Sequence, residues 1–394
     1  MIELAQQPRI RTAGGRAEAA PIAFIRRLDW VLLAAAIALI GYGLWVIAGI
    51  TRFDVPGDEN YYVVRQAIAA GIGIAGLVAA AVVPADLARR HWQLVYGTTL
   101  ALMIVVFVAA ETIRGSKRWV DLGFFQFQPS ELGKVLFVLA IAGFLVERVG
   151  RVTRWRTIFS AIGLGSAPIL LVFLQPDLGT ALVYTAALFA VLFFIGVSWR
   201  QLLTLLVIGA IGISSVLWLL PGAGIQVLKP YQAARLTLDP GADPGGVTYN
   251  LNQSITAVGS GGLTGRGVVA ASQTRLDYLP EHATDFAFAS LAEQRGFVGS
   301  AILLLLYLLV VWRGLRVVTV AGDLYSAVVA GGLVFAFLFQ IFVNVGMTMG
   351  VAPVTGIPLP FVTVGGSSMV ANLVLIGVLQ GIHARGELAG RQSL

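Results

Sequence analysis

Ten stretches of this chain are apolar over the length a bilayer demands, and that feature decides most of what it can fold into. They are Leu28–Ile50, Tyr62–Val83, Leu94–Ala110, Ser130–Val146, Ile158–Leu174, Leu178–Val197, Gln201–Leu220, Phe286–Trp312, Leu324–Gly350 and Ser367–His383. A helix needs about 20 residues to cross the hydrocarbon core, and each run reaches or nearly reaches that length. Only 12% of the 394 residues are charged, against about 25% in soluble domains. The expected fold is an all-α polytopic membrane bundle of about ten transmembrane helices.

An even number of spans puts both termini on one side, and Lys and Arg decide which side. One set of loops holds Arg9, Arg11, Arg16, Arg26 and Arg27, then Arg89 and Arg90, then Arg148, Arg151, Arg154 and Arg156. It also holds Arg200, Arg313, Arg316, Arg385 and Arg391. The termini are therefore expected in the cytoplasm, with residues 1–27 as an N-terminal tail and 385–394 as a C-terminal tail. Residues 28–384 form a single transmembrane domain. The three lysines, Lys117, Lys134 and Lys229, fall on or just inside the opposite face. There the long segment 221–285 joins helices seven and eight, and its run Asp239–Gly246 reads as surface loop. The net charge of +7 follows from this asymmetry, so no nucleic-acid partner is inferred. Cysteine is absent, which removes disulfides, thiol chemistry and cysteine-ligated metal. The N-terminal stretch Met1–Arg27 lacks the short apolar core and small-residue cleavage site of a signal peptide.

Charged residues inside spans cost about 2.5 to 3.5 kcal/mol each and mark sites by default. The fourth span opens with Gln128-Pro-Ser-Glu131-Leu-Gly-Lys134. Glu131 and Lys134 share a helix face, either as a structural ion pair or as the organiser of a substrate pocket. Just before it, Lys117 and Arg118 flank Trp119, as an interfacial anchor or as a grip on a lipid-linked pyrophosphate. Asp177, in Gln175-Pro-Asp-Leu-Gly-Thr180, is placed to cap a helix. The densest group is Leu279-Pro-Glu281-His282-Ala-Thr284-Asp285-Phe286, with Glu293 and Arg295 following. Thr284 or Asp285 would cap the eighth span there, Glu293 and Arg295 would pair, and His282 would lie in an exposed loop. From Asn344 to Ser368, three prolines and a Gly-Gly-Ser-Ser run break the helix. Such backbone is tolerated at membrane depth only against protein or a wet cavity, so a re-entrant or unwound segment precedes the last helix. No phosphate-binding loop and no Gly-x-Ser-x-Gly elbow is present. The residues describe a site for an amphiphilic anionic lipid, which suits a transferase or a transporter of that lipid.

Five stretches together resemble the SEDS family (RodA, FtsW and SpoVE). They are GSKRWVDLGFFQFQPSELGK, QPDLGT, YNLNQSITAVGSGGLTGRG, LPEHATDFAFASLAEQRGFVG and NVGMTMGVAPVTGIPLPFVTVGGSS, in register on a ten-span frame. GSGGL and PVTGIPLP resemble the RodA branch. The resemblance implies a glycosyltransferase of the bacterial inner membrane that polymerises lipid II into glycan strands for cell-wall elongation and cell shape, facing the periplasm. Asp285, the Asp of the family's Thr-Asp-Phe element, would be the general base. Lys117, Arg118, Trp119, Glu131, Lys134, Asp177 and Glu281 would bind substrate, the cations at the departing pyrophosphate. A divalent cation, Mg²⁺ or Mn²⁺, would share that charge, and no organic cofactor is expected. A class B penicillin-binding protein is the implied partner, since this chain has no Ser-x-x-Lys with Lys-Thr-Gly. Ala283 stands where many relatives have His, with His282 one place earlier, which weakens a role for histidine and leaves Asp285 untouched. Two other readings remain from the residues: a lipid II flippase, and a non-catalytic scaffold that recruits the penicillin-binding protein.

Overall fold

The computed structural model describes residues 24–109, 118–121, 126–224 and 246–392. Lys117, Lys229, the first 23 residues and all of Asp239–Gly246 except Gly246 lie outside them. The described membrane-length helices are α1 (Trp30–Ile50), α2 (Tyr61–Val82), α3 (Trp92–Ala109), α4 (Pro129–Val146), α5 (Trp155–Leu174) and α6 (Leu178–Phe194). α7 (Trp199–Ser214) continues through a π-turn to Gly222. A loop helix, α8 (Val247–Ser260), precedes α9 (Ala287–Val320), α10 (Leu324–Thr348) and α11 (Gly366–Gln392). Eight of these are long and apolar enough to cross a membrane, and Trp92–Val108 and Leu178–Phe194 are shorter apolar helices. The ten expected spans are all present. α9 and α11 run on past the expected ends at Trp312 and His383. Hydropathy marks where the apolar stretch ends, and a helix with charged turns continues beyond it.

α4, α10 and α11 are buried along most of their length, while α7 is almost wholly exposed. Apolar side chains gain nothing from leaving lipid for protein, so contact between membrane helices depends on close backbone approach and polar bonds. The contact of α11 with α2 shows the first. An ideal Cβ on Gly377 would stand 2.3 Å from the Leu77 carbonyl oxygen, and one on Gly381 would stand 2.6 Å from that of Ala81. The Arg-rich end of the bundle shows the second. Arg313 of α9 pairs at 2.7 Å with Asp29, which caps α1 and whose side chain is fully buried. Gln380 of α11 closes the group by accepting from the Asp29 amide at 2.8 Å and donating to its carbonyl at 2.9 Å.

At the other end the backbone from residue 349 to 365 is not helical, as the prolines require. Ile357, Leu359, Phe361 and Val362 in it are buried against protein. Its carbonyls are taken up by side chains: Ile357 by Asn344 Nδ2 at 2.8 Å, Thr363 by Gln66 Nε2 at 3.1 Å, and Pro360 by the Tyr307 hydroxyl. Polar residues of α2, α9 and α10 thus hold an unwound strap in front of the last helix.

Candidate active site at the strap

α6 begins where Pro176 ends the preceding turn, and Asp177 caps it. Its Oδ1 accepts from the Thr180 amide at 3.1 Å and its Oδ2 from Gln128 Nε2 at 2.9 Å. Arg118 lies against the same turn. Its Nε donates to the Gln175 carbonyl at 3.2 Å, a terminal nitrogen donates to the Pro176 carbonyl, and another stands 3.9 Å from Asp177 Oδ1. Capping and a charge contact thus coexist at Asp177. Trp119 is half-buried beside Arg118, leading into a two-stranded hairpin in which Val120 faces Phe127 and Asp121 faces Gln126. Ser367, in the first turn of α11, ties the hairpin down by accepting from the Gln128 amide and donating to the Gln126 carbonyl, each at 2.8 Å.

Across the strap stands Asp285. Neither it nor Thr284 caps α9, which starts at Ala287 behind Phe286 with no side-chain cap. The Thr284 hydroxyl donates instead to Glu281 Oε2 at 2.7 Å. The Asp285 side chain abuts Gly356: a Cβ there would stand 3.1 Å from Oδ2, and Gly356 has φ +70°. Three carbonyls in succession are pinned. That of Ala283 accepts from the Val364 amide at 2.9 Å, that of Thr284 from the Thr363 hydroxyl at 3.1 Å, and that of Asp285 from Asn344 Nδ2 at 3.0 Å. The other side of the strap faces α6, where a Cβ on Gly179 would stand 2.6 Å from the Thr355 carbonyl oxygen. Thr355 and Gly356, neighbours on the strap, thus meet α6 on one side and the Asp285 carboxylate on the other.

Glu131 and Lys134 lie apart from this surface. Lys134 Nζ bonds both Glu131 oxygens at 2.9 Å, and the residues are 1% and 7% exposed. With Gln340 and Asn372 they line a small internal cavity. Two further expectations are corrected, beside the cap expected of Thr284 or Asp285. Glu293 and Arg295 do not pair, because residues two apart on a helix point to different faces. Glu293 accepts from the Gln273 and Thr274 amides and the Thr274 hydroxyl, at 2.8, 2.9 and 2.7 Å. His282 is not exposed: it is 8% exposed, with Nε2 3.1 Å from Asp54 and Nδ1 3.4 Å from Asp277. Burial disfavours the imidazolium, but the bond to Asp54 and the charges of Asp54 and Asp277 outweigh it and raise its pKa above 6.5.

Asp54, Gln66 and Gln128 were not singled out from the sequence, and Asn344 marked only the start of the polar region. Asn344 left a signal, a lone amide inside an apolar run, whereas Gln66 follows directly on Arg65. Among the described residues no three His, Asp or Glu side chains gather as a cation site.

A family model described as cell cycle protein, FTSW_RODA_SPOVE, matches residues 27–387. The peptidoglycan glycosyltransferase MrdB of Escherichia coli (strain K12) is 35% identical over 366 residues, 92% of this chain and 95% of its own length. Stage V sporulation protein E of Bacillus subtilis (strain 168) is 34% identical over 359 residues, 89% of this chain and 95% of its own. The solved rod shape determining protein RodA of Thermus thermophilus superimposes with a TM-score of 0.65 at 28% identity, covering 90% of this chain and 96% of that one. A chain from a peptidoglycan synthase complex, described as coordinating polymerization and crosslinking, does so with a TM-score of 0.76 at 31% identity, covering 90% and 97%. With the strap, the carboxylate beside it and the ten-span frame in place, these matches identify the chain as a member of the FtsW/RodA/SpoVE family, a multi-span membrane glycosyltransferase of the kind its curated relatives are named for.

Proposed function

We propose that this chain polymerises lipid II into peptidoglycan strands, in the elongation role of the RodA branch, with Asp285 as general base. The carrying observation is that Asp285 is spared from helix capping and its backbone is clamped against the strap, so its carboxylate is positioned before substrate arrives. It takes the proton of the acceptor sugar's 4-hydroxyl as that oxygen bonds to the donor's anomeric carbon. The anomeric carbon–oxygen bond breaks, and its electron pair leaves with the undecaprenyl pyrophosphate. Arg118, steadied by the Gln175 and Pro176 carbonyls and Asp177, retains N–H donors for the pyrophosphate, and preorganised charge stabilises the transition state as charge builds there. Lys117 precedes it in sequence and joins the same role, with Trp119 and Glu281 bounding the substrate. The buried Glu131–Lys134 pair supports the pocket from beneath.

The Arg-rich end is cytoplasmic under the positive-inside rule, which directs Asp285 to the periplasm, where lipid II headgroups lie after export. The likeness to a synthase-complex chain supports a class B penicillin-binding protein as partner. A flippase would need a polar route through the Arg-rich end, where the Asp29–Arg313–Gln380 group is closed on itself. The test is polymerisation of purified lipid II by the detergent-solubilised protein with its class B partner, comparing wild type with Asp285→Asn at matched folding. Long strands from wild type alone support the reading. Equal strands from both remove Asp285 as base, and none from a wild type that binds lipid II favours transport or scaffolding.

A further inference from the structure

α9 is broken at Gly296, whose φ of +64° and ψ of −161° interrupt the helix. The Gly-rich loop 261–266 fills the break. Arg266 N donates to the Glu293 carbonyl at 2.9 Å, Phe297 N to that of Gly262 at 2.9 Å, and Val298 N to that of Leu263 at 3.1 Å. A Cβ on Gly265 would stand 2.3 Å from the Gln294 carbonyl oxygen, so only glycine allows this approach.

The docked loop and α1 leave a pocket of about 310 Å³ on the flank of the bundle, walled by Tyr42, Trp45, Thr264, Arg295, Val298 and Ile302. Trp45, Val298 and Ile302 are 44–47% exposed, so the pocket opens sideways into lipid. Arg295 stacks its guanidinium 4.0 Å from the centre of the Trp45 ring. Among the described residues it enters no ion pair. Glu293, the nearest acid in sequence, is committed to Gln273 and Thr274. Trp45 lies five residues before the end of α1 at Ile50, about 7.5 Å at 1.5 Å per residue, in the last turns of that helix. An arginine stacked on an aromatic face, with no acid paired to it among the described residues, is open to an anion.

We infer that this pocket binds the phosphate of an anionic bilayer phospholipid, held by Arg295 with Thr264 beside it and the acyl chains along Val298 and Ile302. None of its walls belongs to the strap site, so this assignment stands apart from the catalytic reading. The same phosphate chemistry occurs in the polyprenyl pyrophosphate of lipid II. The sideways opening favours the bilayer lipid.

Native mass spectrometry of the full-length protein, titrated with phosphatidylglycerol in detergent, tests this. Arg295→Gln should weaken the first lipid adduct about tenfold, the loss of one charge-assisted contact, and Arg295→Lys should retain part of it. Trp45→Leu should weaken it too, which keeps the test open if Arg295→Gln fails to fold. Asp285→Asn should leave the adduct unchanged, and phosphatidylcholine, which is zwitterionic, should not form it. Equal phosphatidylglycerol adducts in wild type, Arg295→Gln and Trp45→Leu would overturn the site. Displacement of the adduct by equimolar undecaprenyl pyrophosphate would overturn the bilayer lipid as its occupant.

Discussion

The Asp285 carboxylate rests on Gly356, with room for no more than a hydrogen between them: a Cβ there would lie 3.1 Å from Oδ2. The φ of +70° at Gly356 adds strain to any L side chain. Gly356→Ala should therefore shift the carboxylate by a few tenths of an ångström without touching substrate. Misplacement of a base on this scale is expected to lower strand synthesis by about tenfold. Lipid II polymerisation at matched protein amount checks this, and full activity would show that the contact is not positioning Asp285.

His282 clasps Asp54, 228 positions away, at 3.1 Å, and its pKa is raised above 6.5. A raised folded-state value means the protonated clasp stabilises the protein below about pH 6.5, and this is lost as pH rises through the folded value. Melting temperature should fall across that window, and His282→Gln should flatten the fall. A wild-type slope that survives in His282→Gln would assign the pH dependence to another group.

At the Arg-rich end, Arg313→Met would leave Asp29 buried and unpaired. Removing one member of a buried pair costs about 3 to 5 kcal/mol, so heat inactivation in detergent should come much earlier. The double variant Arg313→Met with Asp29→Asn should recover most of the loss. Failure to recover would mean that Arg313 acts through packing.

Gly377→Ala and Gly71→Ala should move stability in opposite directions. The first drives a methyl into the Leu77 carbonyl at 2.3 Å, while the second meets nothing within 4 Å on the exposed side of α2. Overpacking costs about 1 to 3 kcal/mol, and alanine is favoured over glycine in an open helix by about 1 kcal/mol. Detergent melting curves of the two variants separate the cases, and equal shifts would remove the backbone contact as the cause.

The sequence by itself determined the ten helices, the unwound strap before the last one, and the polar motifs from which the family could be read. Each rests on a local quantity. Transfer free energy per segment marks a span, and proline and glycine forbid a straight helix at Pro353–Pro360. Beyond the local Glu131–Lys134 pair, which its spacing made legible, tertiary structure decided which charges neutralise which. Asp29 finds Arg313 across 284 positions, His282 finds Asp54, and Gln66 serves the Thr363 carbonyl on a strap 297 positions away. The expected pair of Glu293 with Arg295 was excluded locally, by a spacing of two on one helix, and packing decided only what each met instead, Glu293 the 273–274 turn and Arg295 Trp45. Coulomb and hydrogen-bond energies depend on distance in space, and distance in space is set by how the helices pack. Whether Asp285 caps a helix or lies against the strap was decided in that way, by how the helices pack.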